Sequence, residues 1–204
     1  MIDKTGACMP QQFICVLKRG IDFRCLAVLV LGLCVMTSTV CGGTDPDGFE
    51  EDFGIIRFEK PLAAPDFAVL DIEQHPVRLG DYKKRFVMLN FWATWCLPCV
   101  RELPQLEELR RAIPEADFQI LAINVRDRES RLRKFLATRS YGFKIPLDQS
   151  GEVYKAYGVA SFPTTFLIDR QGMLFGKING ARDWINEGFV TYMQHLLEKG
   201  AQDE

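Results

Sequence analysis

Two cysteines, Cys96 and Cys99, stand in Trp95-Cys96-Leu97-Pro98-Cys99, directly after an apolar run and directly before a stretch of helical character. A thiol at the start of a helix faces unpaired backbone N–H groups and the positive end of the helix dipole. Both favour thiolate over thiol, which makes the sulfur a usable nucleophile near neutral pH. A second thiol three residues later lies one turn on, within reach of a mixed disulfide formed at the first. The pair therefore predicts exchange of thiols and disulfides. Cys96, nearer the helix start, is expected to attack, and Cys99, deeper, to resolve. Pro98 lacks an N–H, which suits a first helical turn. A zinc site would need two further ligands. Beyond residue 42 only His75, His195 and carboxylates could supply them, and neither histidine is assigned a role. The chemistry calls for no cofactor and no metal.

Glu102 is the next informative side chain. At ~100° per residue it lies about 60° from Cys99 around the helix, on the side of Leu103, Leu106 and Ile113. A carboxylate on an apolar face is unusual. Half-buried near a thiol, its pKa should rise, and it could shuttle the proton that exchange requires. The alternative is an acidic residue that only complements the helix dipole, and spacing alone does not separate the two. Trp92 and Trp95 are either core residues or a wall beside the thiols, and their closeness to Cys96 favours at least one lining the site. Further on, Ser161-Phe162-Pro163-Thr164 precedes a strand, where proline's missing N–H is harmless. A cis Phe162–Pro163 bond would mark a binding site, but the sequence alone does not select cis.

These residues need elements to hold them. Phe86-Val87-Met88-Leu89-Asn90-Phe91-Trp92 is a near-continuous apolar run of strand length, suited to a central strand buried on both faces. A helix follows from about Cys96 to Ile113, with a kink expected at Pro104. Residues 118–125 form a second buried strand. Residues 129–139 form a charged helix with Leu132, Phe135 and Leu136 on one face. A short strand at 143–148, a short helix at 152–157 and a strong strand at 164–169 come next. Asp169-Arg170-Gln171-Gly172 turns the chain into a hairpin strand at 173–178. Asp183 is positioned to cap a last helix ending near Glu198. Upstream, Ala64 to Asp71 reads as an extended lead-in and Pro76 to Leu79 as a short strand. Alternating strands and helices followed by a hairpin predict an α/β fold: a mixed central sheet with helices on both faces.

The 204 residues include 48% apolar and 25% charged side chains, and the formal net charge of −2 gives no pointer to nucleic acid. Five of the seven cysteines, Cys8, Cys15, Cys25, Cys34 and Cys41, precede residue 42. A disulfide-stapled scaffold would spread its cysteines through the fold. Residues 25–36 are an apolar block preceded by Lys18, Arg19 and Arg24 and followed by Thr37-Ser38-Thr39. That pattern predicts an export signal or membrane anchor over 1–41, since the block is short against the ~20 residues of a comfortable span. Cys41 admits a lipid-attachment reading, although Ser38-Thr39-Val40 lacks the usual preceding leucine and small residue, so an incidental cysteine is an equal alternative. Residues 42–57, rich in Gly, Asp and Glu, read as a flexible tether, and 58–204 as the folded domain.

The segment Asn90-Phe91-Trp92-Ala93-Thr94-Trp95-Cys96-Leu97-Pro98-Cys99 resembles the active-site segment of the thioredoxin superfamily, and more closely its TlpA/ResA-type exported branch. Ala64-Pro65-Asp66-Phe67 resembles that branch's lead-in, and Phe162-Pro163-Thr164-Thr165-Phe166-Leu167-Ile168-Asp169 its cis-proline strand. The resemblance spans roughly Pro61 to Glu198. It implies a thioredoxin-like three-layer fold with an N-terminal strand extension, a cis Pro163 beside the sulfurs, and Trp95, Pro98, Phe162 and Pro163 as the surface that meets a substrate. It places Glu102 where this branch keeps an acid near the thiols. The buried aspartate of ordinary thioredoxins is here Asn90, which takes no proton. The branch also implies an extracytoplasmic reductant of protein disulfides, for instance apocytochrome or copper-site cysteines, recharged by a membrane thiol reductase of the DsbD or CcdA kind. Alternatives are a disulfide-forming oxidant on the same fold and a non-catalytic copper- or partner-binding module. A peroxidase is disfavoured, because its attacking cysteine normally lacks a close Cys-x-x-Cys partner.

Overall fold

Strands form where the apolar runs lie, and the sheet assembles around them. The computed structural model describes residues 46–202; the leader over 1–41, Cys41 and the first residues of the expected tether lie outside that range. Helix α1 (Pro46–Phe53) leads into β1 (Ile55–Ala63), followed by β2 (Ala68–Leu70), β3 (Pro76–Arg78) and a 3-10 turn at Leu79–Tyr82. The chain continues through β4 (Phe86–Trp92), α2 (Leu97–Ala112), β5 (Phe118–Val125), α3 (Glu129–Leu136), β6 (Leu147–Asp148), α4 (Glu152–Ala156), β7 (Thr164–Ile168), β8 (Met173–Asn179) and α5 (Glu187–Gln202).

Six strands make one sheet in the order β1-β8-β7-β4-β5-β6, and β2 and β3 form a separate hairpin. β4 runs parallel to β5 and antiparallel to β7, so the sheet is mixed. Every residue of β4 and β5 is buried, as continuous apolar runs require when both faces are covered. Alternation sorts their side chains. Met88, Trp92, Ile120 and Ala122 join the core under α2 and α5, with Leu103, Leu106, Leu109, Phe189 and Met193. Val87, Leu89, Phe91, Leu121 and Ile123 join a second core with Val77 from β3 and with Val153 and Tyr157 at α4. The helices therefore cover both faces, and the thioredoxin-like three-layer architecture is the one expected. The hairpin between β7 and β8 is closed as predicted. Gly172 takes φ +81° there, and the Asp169 carboxylate accepts from the N–H groups of Gln171 and Met173.

Two expectations need correction. Most of the expected tether is structured: residues 46–53 form α1, and β1 begins at Ile55 as the sheet's edge strand, paired antiparallel with β8. The anchors are Phe49 and Phe53, four residues apart and hence on one helix face. Phe53 stacks on Phe189 with centroids 4.6 Å apart, and Phe49 meets Tyr192 at 5.4 Å. Glu50, buried, accepts from the Tyr192 hydroxyl at 2.6 Å and from Arg57, which ties α1 to β1 and α5. The cap of α5 is Asn186, not Asp183: the Asn186 Oδ1 accepts from the Gly188 N–H at 2.9 Å. Helix α2 runs from Leu97 to Ala112 with Pro104 inside it, close to the expected bounds.

Candidate active site

The C-terminal end of β4 and the start of β7 deliver the chemistry to one edge of the sheet. Phe91 pairs with Thr164 in the antiparallel register. The segment leaving β4 towards Cys96 therefore lies beside Pro163, the residue just before β7. Asp127, buried after β5, fixes that segment. Its carboxylate accepts from the Thr94 N–H at 2.7 Å, from the Thr94 hydroxyl at 2.8 Å and from the Asn124 amide at 2.9 Å. Sequence reading missed Asp127, and nothing in its spacing from Thr94 would have revealed it.

Cys96 and Cys99 form a disulfide. Cys96 is the N-cap residue of α2, and its sulfur accepts from the Cys99 N–H at 3.3 Å. The helix thus aims its free N–H groups at Cys96, the geometry that lowers a thiol's pKa once the bridge is opened. Cys96 retains 7% exposure whereas Cys99 has none. Leu97 and Trp95 flank the bridge, 70% and 56% exposed, and Pro98 is exposed as well. The Phe162–Pro163 peptide bond is cis. The Phe162 ring meets Trp95 edge-on at 5.7 Å, which joins the cis-proline segment to the cysteine segment. The two tryptophans divide: Trp95 lines the site, while Trp92 is fully buried and donates its indole N–H to the Ala122 carbonyl at 3.0 Å. His75 and His195 are both exposed.

Glu102 is 2% exposed among the leucines of α2. Its Oε1 accepts from the Asn90 amide and its Oε2 from the Trp184 indole N–H, each at 2.9 Å. Burial pushes its pKa up to about 7; the Asn90 and Trp184 hydrogen bonds and the nearby Arg182 oppose that rise. At neutral pH the group is thus divided between acid and carboxylate. Asn90 also donates to the Thr165 hydroxyl at 3.0 Å, and its own Oδ1 is buried without a hydrogen-bond partner. Turning that amide over would present Oδ1 to a protonated Glu102, so the same pair can serve either charge state. Spacing on the helix singled out Glu102. Trp184, 82 residues away on the loop between β8 and α5, carries no local signal of its role.

The match to known proteins extends well beyond the cysteines. Residues 62–175 match the model of the AhpC/TSA family. A relative described as thiol-disulfide oxidoreductase ResA, from Bacillus thuringiensis subsp. konkukian (strain 97-27), is 38% identical over 167 residues, covering 80% of this chain and 90% of the relative. A protein of the same description from Geobacillus thermodenitrificans (strain NG80-2) is 43% identical over 117 residues, 57% of this chain and 67% of that one. Among solved structures, a protein from Chlorobium tepidum described as thiol:disulfide interchange protein DsbE superposes with a TM-score of 0.63 at 32% identity, covering 69% of this chain and 99% of that one. An exposed lipoprotein thioredoxin of Streptococcus pneumoniae strain TIGR4 gives 0.56 at 26% identity, with 66% and 99% covered.

Proposed function

We propose, on the premise that this chain belongs to the AhpC/TSA family and is a thiol-disulfide oxidoreductase of the ResA kind, that it reduces disulfides of client proteins outside the cytoplasm. The observation that carries the reading is the unequal burial of two bridged cysteines at one helix start, Cys96 being 7% exposed as a residue and Cys99 fully buried. In the dithiol form the Cys96 thiolate attacks one sulfur of the client's bridge. A mixed disulfide forms and the client's other sulfur leaves as a thiolate. Cys99 then loses its proton and attacks Cys96 Sγ. The client's second thiolate departs and the Cys96–Cys99 bridge remains, the client having gained the two electrons. Glu102, with its pKa near neutrality, takes the Cys99 proton during resolution and returns one when the bridge is next reduced. Trp95, Pro98, Phe162 and the cis Pro163 form the surface on which the client's bridge rests.

The apolar block of residues 25–36 with its basic flank supports export, followed by release from a cleaved signal, or by retention through an anchor or lipid at Cys41. Among the described residues no helix is long and apolar enough to cross a membrane. Apocytochrome or copper-site cysteines are clients that need such a reductant, and a membrane thiol reductase of the DsbD or CcdA kind would supply its electrons. Two measurements test the reading. Cys99→Ser should accumulate mixed disulfides through Cys96 while Cys96→Ser accumulates none; equal trapping overturns the roles. Equilibration with thiol buffers should give a potential well below that of the glutathione pool; a value near or above it makes the chain an oxidant or isomerase.

A further inference from the structure

We propose that a basic groove beside Trp95 recognises an acidic segment of the client protein, adjacent to the client's disulfide. The groove has a volume of about 740 Å³ and is lined by Trp95, Arg126, Arg128, Arg131 and Lys134, with Asp127 in its floor. All four cations are exposed, and none has an ion-pair partner among the described residues. The one acid in the groove is spent: Asp127 is 2% exposed and its carboxylate is held by Thr94 and Asn124. The nearest acid on the helix, Glu129, pairs with Arg133 at 2.7 Å. Four cations without an ion-pair partner, set against the one inward-turned Asp127, thus leave a formal local excess of positive charge on a chain whose formal charge is −2.

The fold sets this cluster deliberately close to the sulfurs. Arg126 takes φ +57° at the end of β5, turning the chain so that Arg128 precedes α3. Arg131 and Lys134, three residues apart, follow on one face of that helix, while Leu132 on another is fully buried. Trp95 belongs both to the groove wall and to the segment that leads into Cys96, one residue on. A peptide seated on Trp95 with its disulfide at Cys96 would run its flank directly over the four cations. Such charges contribute chiefly to encounter rate and to choice of partner. The idea rests on Cys96 being the attacking sulfur, as argued above.

The test uses the full-length chain, reduced, and two disulfide-bridged peptides that differ only in whether the flank of the bridge carries three aspartates or three serines. At low ionic strength the acidic peptide should be reduced roughly tenfold faster, and the advantage should collapse in 0.5 M salt, on the order of a 4 Å screening length. The triple variant R128Q/R131Q/K134Q should lose the preference while reducing the serine peptide at the wild-type rate. Equal rates on the two peptides with the wild-type chain overturn the groove alone. Reduction of neither peptide overturns the assignment of Cys96 and the groove with it. Co-sedimentation with vesicles containing anionic lipid, lost in the triple variant while the two peptides react equally, overturns the client reading in favour of a membrane surface.

Discussion

Replacing Glu102 by glutamine should flatten a pH dependence that the wild-type fold carries. The carboxyl is 2% exposed, and its pKa stands at about 7 against an ordinary 4.5. A gap of that size corresponds to ~3 kcal/mol of folding free energy. The sign follows from which state ionises first. Below about pH 4.5 both folded and unfolded chains hold the proton, and the group costs nothing. Between 4.5 and 7 the unfolded chain releases it while the folded chain keeps it, so stability falls as pH rises. Above 7 the full cost is present and the curve levels. The assay is urea unfolding of the oxidised protein at half-unit steps from pH 4.5 to 8, with the bridge intact so that Cys96 and Cys99 do not titrate. Glu107, whose Arg110 partner and other hydrogen bonds hold its pKa near 2, changes state below this window and does not mask the slope. Glutamine mimics the protonated acid, with the turned-over Asn90 Oδ1 to receive its N–H₂, and any misfit of its hydrogen bonds adds an offset of ~1 kcal/mol that does not change with pH. The diagnostic is therefore the difference in slope between the two proteins, not the offset. Parallel curves across the window would show that the carboxyl is not the buried, proton-holding group described above.

Trp184→Phe keeps most of the ring packing against Phe53 and Phe189 but removes the donor to Glu102 Oε2. The Glu102 pKa should then rise above 7, moving the stability transition and the pH profile of thiol exchange upward together; an unmoved profile would detach Trp184 from the proton site. Glu107→Gln breaks the Arg110 and Arg111 pairs and weakens the link to the Gly142 N–H at 2.7 Å. It should cost ~1–2 kcal/mol at neutral pH. Because the folded pKa is depressed, that loss should shrink as pH falls through 4.5 towards 2, which acid unfolding curves of the two proteins would reveal. Leu106→Ala, at a fully buried position of α2, should lower stability by ~2–5 kcal/mol in urea unfolding without altering the pH slope attributed to Glu102.

The strands nearest the chemistry were readable because their residues repeat one message. β4 and β5 are buried along their whole length, with Asn90, Gln119 and Asn124 as their polar residues, and end where the expected strands end, since each residue meets a covered face. The hairpin announced itself through Asp169 and Gly172. α1 did not, because Gly, Asp and Glu outnumber its two phenylalanines, and Phe49 and Phe53 gain meaning only when α5 supplies Phe189 and Tyr192 to receive them. Asp183 looked like a cap by type, but the backbone turned into helix three residues later, at Asn186. Within the site, Glu102 was visible through helical periodicity, whereas its partners Asn90 and Trp184 lie on a strand and a loop that local patterns cannot bring to it. The opposition of Trp95 and Phe162 likewise depends on the register between β4 and β7, which no local pattern encodes.

The tilted contact of the Phe53 ring with Trp184 at 5.8 Å bears on how the protein is best produced. Cutting the gene at residue 58, where composition suggests the globular part begins, would discard the ring that backs the indole, the Glu50 that receives the Tyr192 hydroxyl, and the first three residues of an outer strand. A recombinant fragment meant to preserve the acidity of the redox centre should start upstream of Pro46, so that those supports travel with it.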